Sequence, residues 1–100
     1  MITTDLRKKI ADNWFSYLQT QICNEFEFLE NKKIKFKRRD WKKGMIKEGG
    51  GTSYLMVGGK IFDKVGVNKS TVSGRFAKKF RSQIFGASKN GRYWASGISV

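Results

Sequence analysis

The stretch Gly49–Gly74, GGGTSYLMVGGKIFDKVGVNKSTVSG, decides how this chain is read. Three glycines lead into the apolar run Tyr54-Leu55-Met56-Val57, Gly58-Gly59 breaks it, and a second extended run follows from Lys60 to Val72. A Gly-Gly pair between two β-rich runs predicts a hairpin, because tight primed turns need positive φ and glycine supplies it without steric cost. Along the second run Ile61, Val65 and Val67 fall on one face, Phe62 and Lys64 on the other, and Asp63 interrupts the apolar face. Gly66 in mid-strand weakens pairing, and so marks a bulge or a place where something approaches the backbone closely.

Upstream, residues 5–30 read as an amphipathic helix. Leu6, Ile10, Trp14, Leu18, Ile22, Phe26 and Leu29 recur at three- or four-residue steps, which places them on one stripe and predicts core packing for it. Thr3 or Thr4 suits the N-cap, Asp5 suits the positive end of the helix dipole, and Asn31 closes the helix. The following segment, KKIKFKRRDWKK (32–43), alternates Ile34 and Phe36 with lysines, which predicts a strand with one wet, basic face. A basic strand carrying Phe36 and Trp41 could contact phosphate and stack on bases. Against that, the aromatics are expected on the apolar side of the alternation rather than beside the cations.

Downstream of Gly74, Phe76, Phe80 and Ile84 share a helical face with Lys78, Lys79 and Arg81 outward, predicting a short helix that ends before Gly86. Lys89-Asn90-Gly91-Arg92 reads as a turn. The last residues, Tyr93 to Val100, form a strand, and a chain ending inside a strand reads as part of a longer protein. The expected architecture is α+β: helix 5–30 across an antiparallel sheet with strands near 33–39, 52–57, 60–72 and 93–99, all in one domain, 1–100.

Composition narrows the chemistry. Lys and Arg number 21 against 8 Asp and Glu, giving a net charge of +13, which points to polyanionic partners: nucleic acid, an anionic membrane or a substrate with several carboxylates. There is no histidine, so no imidazole of this chain can act as acid, base or metal ligand. The lone Cys23 cannot form an internal disulfide; it reads as a small hydrophobe in a reducing, cytoplasmic setting. No apolar run reaches membrane-spanning length, and no membrane partner is expected.

The order of residues carries more than the composition. Gly59, Ile61, Phe62, Asp63, Lys64, Gly66, Val67, Asn68, Ser70, Val72 and Gly74 fit the block G-x-[VI]-F-[DE]-K-x-G-V-N-x-S-x-V-x-G that follows a glycine run in the oxygen-dependent coproporphyrinogen III oxidases. Phe36 and Trp41 match the F-x-x-x-x-W before that run, and Trp14 to Cys23 is similar to the family's first helix. Tyr93 or Trp94, with Ala95, Gly97, Ile98 and Ser99, match its F-x-A-x-G-[VI]-S-[LV]-V strand. Between Trp41 and Gly49 the chain is a few residues longer than the family pattern, and its glycine run is shorter.

The resemblance covers the opening portion of a longer fold and implies a reaction. It implies oxidative decarboxylation of two propionates of coproporphyrinogen III to vinyls, with dioxygen as co-substrate and no organic cofactor or redox metal. Ser99 is the family substrate contact that falls within the chain; on local pattern alone it is an ordinary polar residue near a strand end. No catalytic residue and no metal ligand is carried over. The family's histidine proton donor and its later aspartate and arginine segments lie past the position of Val100, so the chain alone is expected to be inactive.

Asn68 and Ser70 are further candidates, although capping a local bend is the commoner role of such an asparagine. The region after the glycine run resembles the family's dimer region, which implies a homo-oligomer with its interface at residues 49–57. The competing reading is a small basic nucleic-acid module, or an inert remnant of the enzyme that kept only its charge. The resemblance makes nucleic acid the less expected partner.

Overall fold

Thr3 starts the first element. Its side chain accepts a hydrogen bond from the Leu6 N–H at 3.1 Å, and helix α1 runs Thr4–Leu29 with Asp5 in its first turn. Asn31 and Lys32 then take φ of 58° and 59°, the left-handed turn that ends the helix, as expected of Asn31. The computed structural model describes residues 3–42, 44, 49–84 and 90–100. Four strands follow: β1 (Lys37–Lys42), β2 (Gly49–Val57), β3 (Lys64–Arg75) and β4 (Arg92–Ser99). They form one antiparallel sheet in the order β1-β2-β3-β4, with α1 lying across one face. The α+β architecture read from the sequence is the one observed.

The helix buries only part of the stripe expected of it. Gln19 and Cys23 are buried, and Ile22 and Phe26 pack beside them against the sheet. Leu6, Ile10, Trp14 and Leu29 are instead largely exposed, Trp14 at 56%. A four-residue step advances about 400° around an α-helix, so a long i, i+4 series drifts by about 40° per step. Its early members therefore turn off the face that its middle members bury.

The core is small: Cys23, Met56, Val65 and Val67, with Met56 and Val67 fully inaccessible. Ile34, Phe36, Tyr54, Phe62 and Ile98 close around it. Ile34 and Phe36 do so from the segment before β1, which starts at Lys37 rather than near residue 33. Gln19 pins α1 to the sheet, its Nε2 donating to the carbonyl oxygens of Thr52 (2.8 Å) on β2 and Val67 (3.0 Å) on β3. A buried amide that found no such partner would carry its full desolvation cost.

The expected two-residue hairpin turn is a six-residue loop. β2 ends at Val57, β3 starts at Lys64, and Gly58 (φ 80°) donates its N–H to the Asp63 carbonyl at 2.8 Å. The cause is Glu30, which is 5% exposed at the end of α1. Its carboxylate accepts the N–H groups of Lys60 (3.0 Å), Ile61 (3.1 Å) and Phe62 (2.9 Å), taking donors that a longer ladder would need. Phe62 is thereby turned onto Phe26, edge to face at 5.0 Å, while Ile61 leaves the Val65–Val67 face and is exposed. Beyond the loop the β2–β3 register is unbroken through Leu55↔Gly66, so Gly66 marks no bulge.

Between β3 and β4 the predicted helix is a 3-10 helix, Lys78–Gln83, with Phe80 half-exposed and Phe76 stacked on Tyr93 at 4.6 Å. Its turn closes by the Phe80 N–H to Ala77 carbonyl bond at 2.9 Å, the i to i+3 spacing of a short, tight helix. The helix ends at Gln83, before Gly86 as expected, while the Lys89 start of the turn and residues 45–48 lie outside the described residues. Gly91 has φ 69°, and the Arg92 N–H bonds Asn90 Oδ1 at 2.9 Å, as a turn there requires.

Two expectations follow from buried groups. Chiefly the Phe62 N–H, then those of Ile61 and Lys60, hold the Glu30 carboxyl below its ordinary value of 4.5 against the opposing effect of desolvation. A depressed carboxyl stabilises fully above its unfolded value and loses that contribution as pH falls through its folded value. Glu30→Gln should therefore lower the melting temperature at pH 7, and the gap from the parent chain should close as pH drops below 4.5. A gap independent of pH would mean that the carboxylate charge is not what holds the loop. Burial, and secondarily the charge of Glu27, push the Cys23 thiol up to about 11. At pH 8 it should resist a thiol-specific disulfide reagent in the native chain and react at the free-cysteine rate once unfolded.

Candidate functional site

Antiparallel pairing places residues in cross-strand rows, and alternation assigns each row to one face of the sheet. Met56, Val65, Val67, Lys69, Thr71, Ser96 and Ile98 face α1. The complementary set faces away from it. In that set the register aligns Arg39↔Ser53, Ser53↔Asn68 and Asn68↔Ser99, one continuous polar row over all four strands. The row holds a guanidinium, two hydroxyls and a primary amide. Beside it runs Trp41↔Gly51, Gly51↔Ser70 and Ser70↔Gly97, and on the other side Lys37↔Leu55 and Leu55↔Gly66.

The sequence-predicted contact Ser99 thus ends the polar row at the β4 edge, exposed, directly opposite Asn68. Ser70, the third candidate, lies one row away on the same face. Asn68 caps no bend: it sits within β3, with its Nδ2 beside Gly66. Arg39 and Ser53 are additions that only the register supplies, because nothing in their local sequence links them to Ser99. Trp41 lies on this face beside Lys37 and Arg39, contrary to the expectation that the aromatics would sit apart from the cations. Residues 39 and 41 share parity with 37, so the alternation that turns Phe36 inward turns Trp41 to the basic side.

The glycines give this face its shape. A Cβ at Gly51 would meet the Lys69 carbonyl and the Trp41 ring, so the indole lies close over a bare backbone. At Gly97 a Cβ would meet nothing within 4 Å, and at Gly66 only Asn68 Nδ2 at 3.9 Å. Neither has positive φ, so neither the backbone nor the packing of the described residues requires glycine there. Of the two expectations for Gly66, the unbroken register rules out the bulge, and among the described residues nothing comes closer to it than Asn68 Nδ2.

The opposite face holds a separate polar group. Lys69 Nζ pairs with Asp12 Oδ1 at 2.9 Å, and the Thr71 hydroxyl donates to the same oxygen at 2.7 Å and lies 3.0 Å from the Ser96 hydroxyl. Burial acts to raise the Asp12 carboxyl, but the bonds from Lys69 and Thr71 outweigh it and leave it below its ordinary value. This cluster ties α1 to β3 and β4. Among the described residues no group of three or more His, Cys, Asp or Glu could hold a metal, and no helix is long and apolar enough to cross a membrane.

The sequence model of coproporphyrinogen III oxidase matches residues 10–100, the whole of the sheet and most of α1. The chain belongs to the coproporphyrinogen III oxidase family. The oxygen-dependent coproporphyrinogen-III oxidases of Rickettsia typhi and Rickettsia prowazekii are each 43% identical to it over 102 residues, covering 93% of this chain and 35% of theirs. That of Rickettsia felis is 43% identical over 101 residues. The chain therefore spans about a third of the length of these relatives. No solved structure matches.

If the open-face glycines serve an approaching group rather than the fold, Gly66→Ala and Gly97→Ala should leave thermal stability unchanged or raise it by up to about 1 kcal/mol. Gly51→Ala should instead destabilise, since its Cβ meets the Lys69 carbonyl and the Trp41 ring. Thermal melts followed by circular dichroism decide between the two roles. Losses at Gly66 and Gly97 matching that at Gly51 would return these glycines to the fold.

Proposed function

We propose that this chain forms one wall of the substrate site of an oxygen-dependent coproporphyrinogen III oxidase, the open sheet face carrying the propionate contacts. The observation that carries the reading is the row Arg39–Ser53–Asn68–Ser99, which sets polar side chains around Ser99 in a chain of this family. In the reaction each of two propionates loses carbon dioxide and two electrons to become a vinyl, and dioxygen takes the electrons. The substrate reaches the site as a tetra-carboxylate macrocycle. Arg39 supplies a bidentate partner for a carboxylate, while Ser53, Asn68 and Ser99 supply neutral donors at fixed spacing. The rows lacking Cβ atoms at Gly66 and Gly97 let a flat body approach the strand backbone.

The family's proton donor is a histidine, and this chain has none, so its part is to bind and orient. The reading involves dioxygen as co-substrate without an organic cofactor or resident redox metal, in the cytoplasm. It includes self-association, with the contact moved from where the sequence suggested. β2 lies between β1 and β3 and has no free edge at 49–57, whereas β1 and β4 are the edges able to add a strand. A basic nucleic-acid module is the second reading, favoured by Trp41 beside Lys37 and Arg39.

The test is titration of the chain with coproporphyrinogen III in the absence of oxygen. Saturable binding is expected, weakened by about 1 kcal/mol in Ser99→Ala and somewhat more in Arg39→Gln, where the bond is to a charged group. In the presence of oxygen the chain alone should form no protoporphyrinogen, and its appearance would overturn the division of roles. Binding unaffected by Ser99→Ala removes that residue from the site. Tight binding of random DNA with a steep salt dependence, and none of the porphyrinogen, would favour the second reading.

A further inference from the structure

A large cleft opens on the other face of the sheet, at the far end of β4 from Ser99. It lies between the first three turns of α1 and the strand ends around Ser73–Arg75 and Arg92–Trp94, with a volume of about 1080 Å3. Its lining includes Arg7 and Lys8 from α1, Arg75 from β3 and Arg92 from β4, and no carboxylate. Arg75 and Arg92 are register partners, directly opposite each other on the last rung of the β3–β4 ladder. Like charges directly opposite destabilise a sheet. Among the described residues no carboxylate lies within ion-pair distance of any of the four, and Lys8 Nζ lies instead 5.7 Å from the Trp94 ring centre. Of the acids on these turns of α1, Asp5 does not line the cleft and Asp12 is already held by Lys69 and Thr71. Four uncompensated cations from three elements thus converge on one open volume, two of them paired at a cost to the fold.

We propose that this cleft is a binding site for a compact, polyvalent oxyanion of the phosphate class, separate from the open face that carries the porphyrinogen reading. A guanidinium pair presents parallel N–H donors to the oxygens of one phosphoryl group, and Arg7 and Lys8 extend the positive field to a second. A singly charged ligand would leave most of that charge unmatched. The Trp94 ring at the cleft wall offers an apolar surface to any organic body the phosphate carries. Anion binding offsets the Arg75–Arg92 repulsion, which links occupancy to stability: the bound chain is the more stable one.

The experiment is a thermal-shift and calorimetric titration of the chain at about 100 mM salt, where long-range surface attraction is largely screened. The probes are pyrophosphate, ATP and citrate. Pyrophosphate and ATP should raise the melting temperature and bind saturably with one-to-one stoichiometry. Arg75→Gln/Arg92→Gln should weaken both by at least about tenfold while raising the melting temperature of the free chain, because the repulsion is gone. Lys33→Gln/Lys60→Gln removes the same charge from exposed positions elsewhere and should leave binding unchanged. If ATP binds more tightly than pyrophosphate and Trp94→Phe cancels the difference, the organic body sits on the ring; equal affinities identify the phosphates as the whole ligand. Equal losses in the two double variants would show diffuse charge attraction and overturn the site. Citrate binding as tightly as pyrophosphate would overturn the phosphate class, and absence of one-to-one binding by the parent chain would overturn the proposal altogether.

Discussion

One carboxylate sets the geometry on which the rest depends. Glu30 sits where α1 ends and accepts three successive backbone N–H groups from the loop between β2 and β3. Three donors on one buried carboxylate fix the position and the length of the loop together. That length sets which residue of β3 meets which of β2. A slip of one residue would turn Val65 and Val67 to solvent and carry Asn68 to the helix side, since the side-chain period of a strand is two. The core and the open polar row are thus alternatives of a single register, and Glu30 with Gln19 selects between them. Gln19 acts from mid-helix on the carbonyl oxygens of Thr52 and Val67, on the same two strands.

What the sequence made legible, and what it did not, follows from the range of the forces involved. Local chemistry was readable: the Thr3 cap, the helical turn at Asn31, the turn at Asn90-Gly91 and the four extended runs rest on interactions within a few residues. The hairpin departs from a two-residue turn because a side chain some thirty positions earlier in the chain takes the N–H groups that Lys60, Ile61 and Phe62 would otherwise give to a ladder. The stripe on α1 was misjudged because a repeat of four is not the period of an α-helix, and only a partner surface decides which part of a drifting stripe is buried. Of the candidate site, Ser99 came from the resemblance and Asn68 from local pattern. Arg39 and Ser53 needed the pairing of four strands, which no local pattern carries.

The sheet divides the charge of the chain unevenly in kind. On the helix side Asp12 engages Lys69, so cations near the middle of the sheet have an internal partner. At the β3–β4 end of the same side, Arg75 and Arg92 face each other instead. On the open side Arg39 belongs to a row of neutral donors. A net charge of +13 spread evenly would describe a solvated basic surface and little more. Cations set opposite each other, or set among hydroxyls and amides on a face without carboxylate partners, are the places on which both binding proposals rest.

The residues that carry the family resemblance sort by whether this chain accounts for them. Gly59 must lack a Cβ because Glu30 Oε2 occupies that space, and Gly74 because the Tyr93 ring does. Phe62 packs on Phe26, and Val67 is fully buried. These are residues of the fold. Gly66, Asn68, Gly97 and Ser99 are different: two glycines have open space where a Cβ would go, and two polar side chains face outward from an ordered strand row. Among the described residues only four apolar side chains are buried, and such a fold gains nothing from leaving mid-strand positions bare, since glycine weakens a strand. The packing of the described residues does not account for their place in the motif. It is this second group, not the first, on which the proposed substrate wall rests.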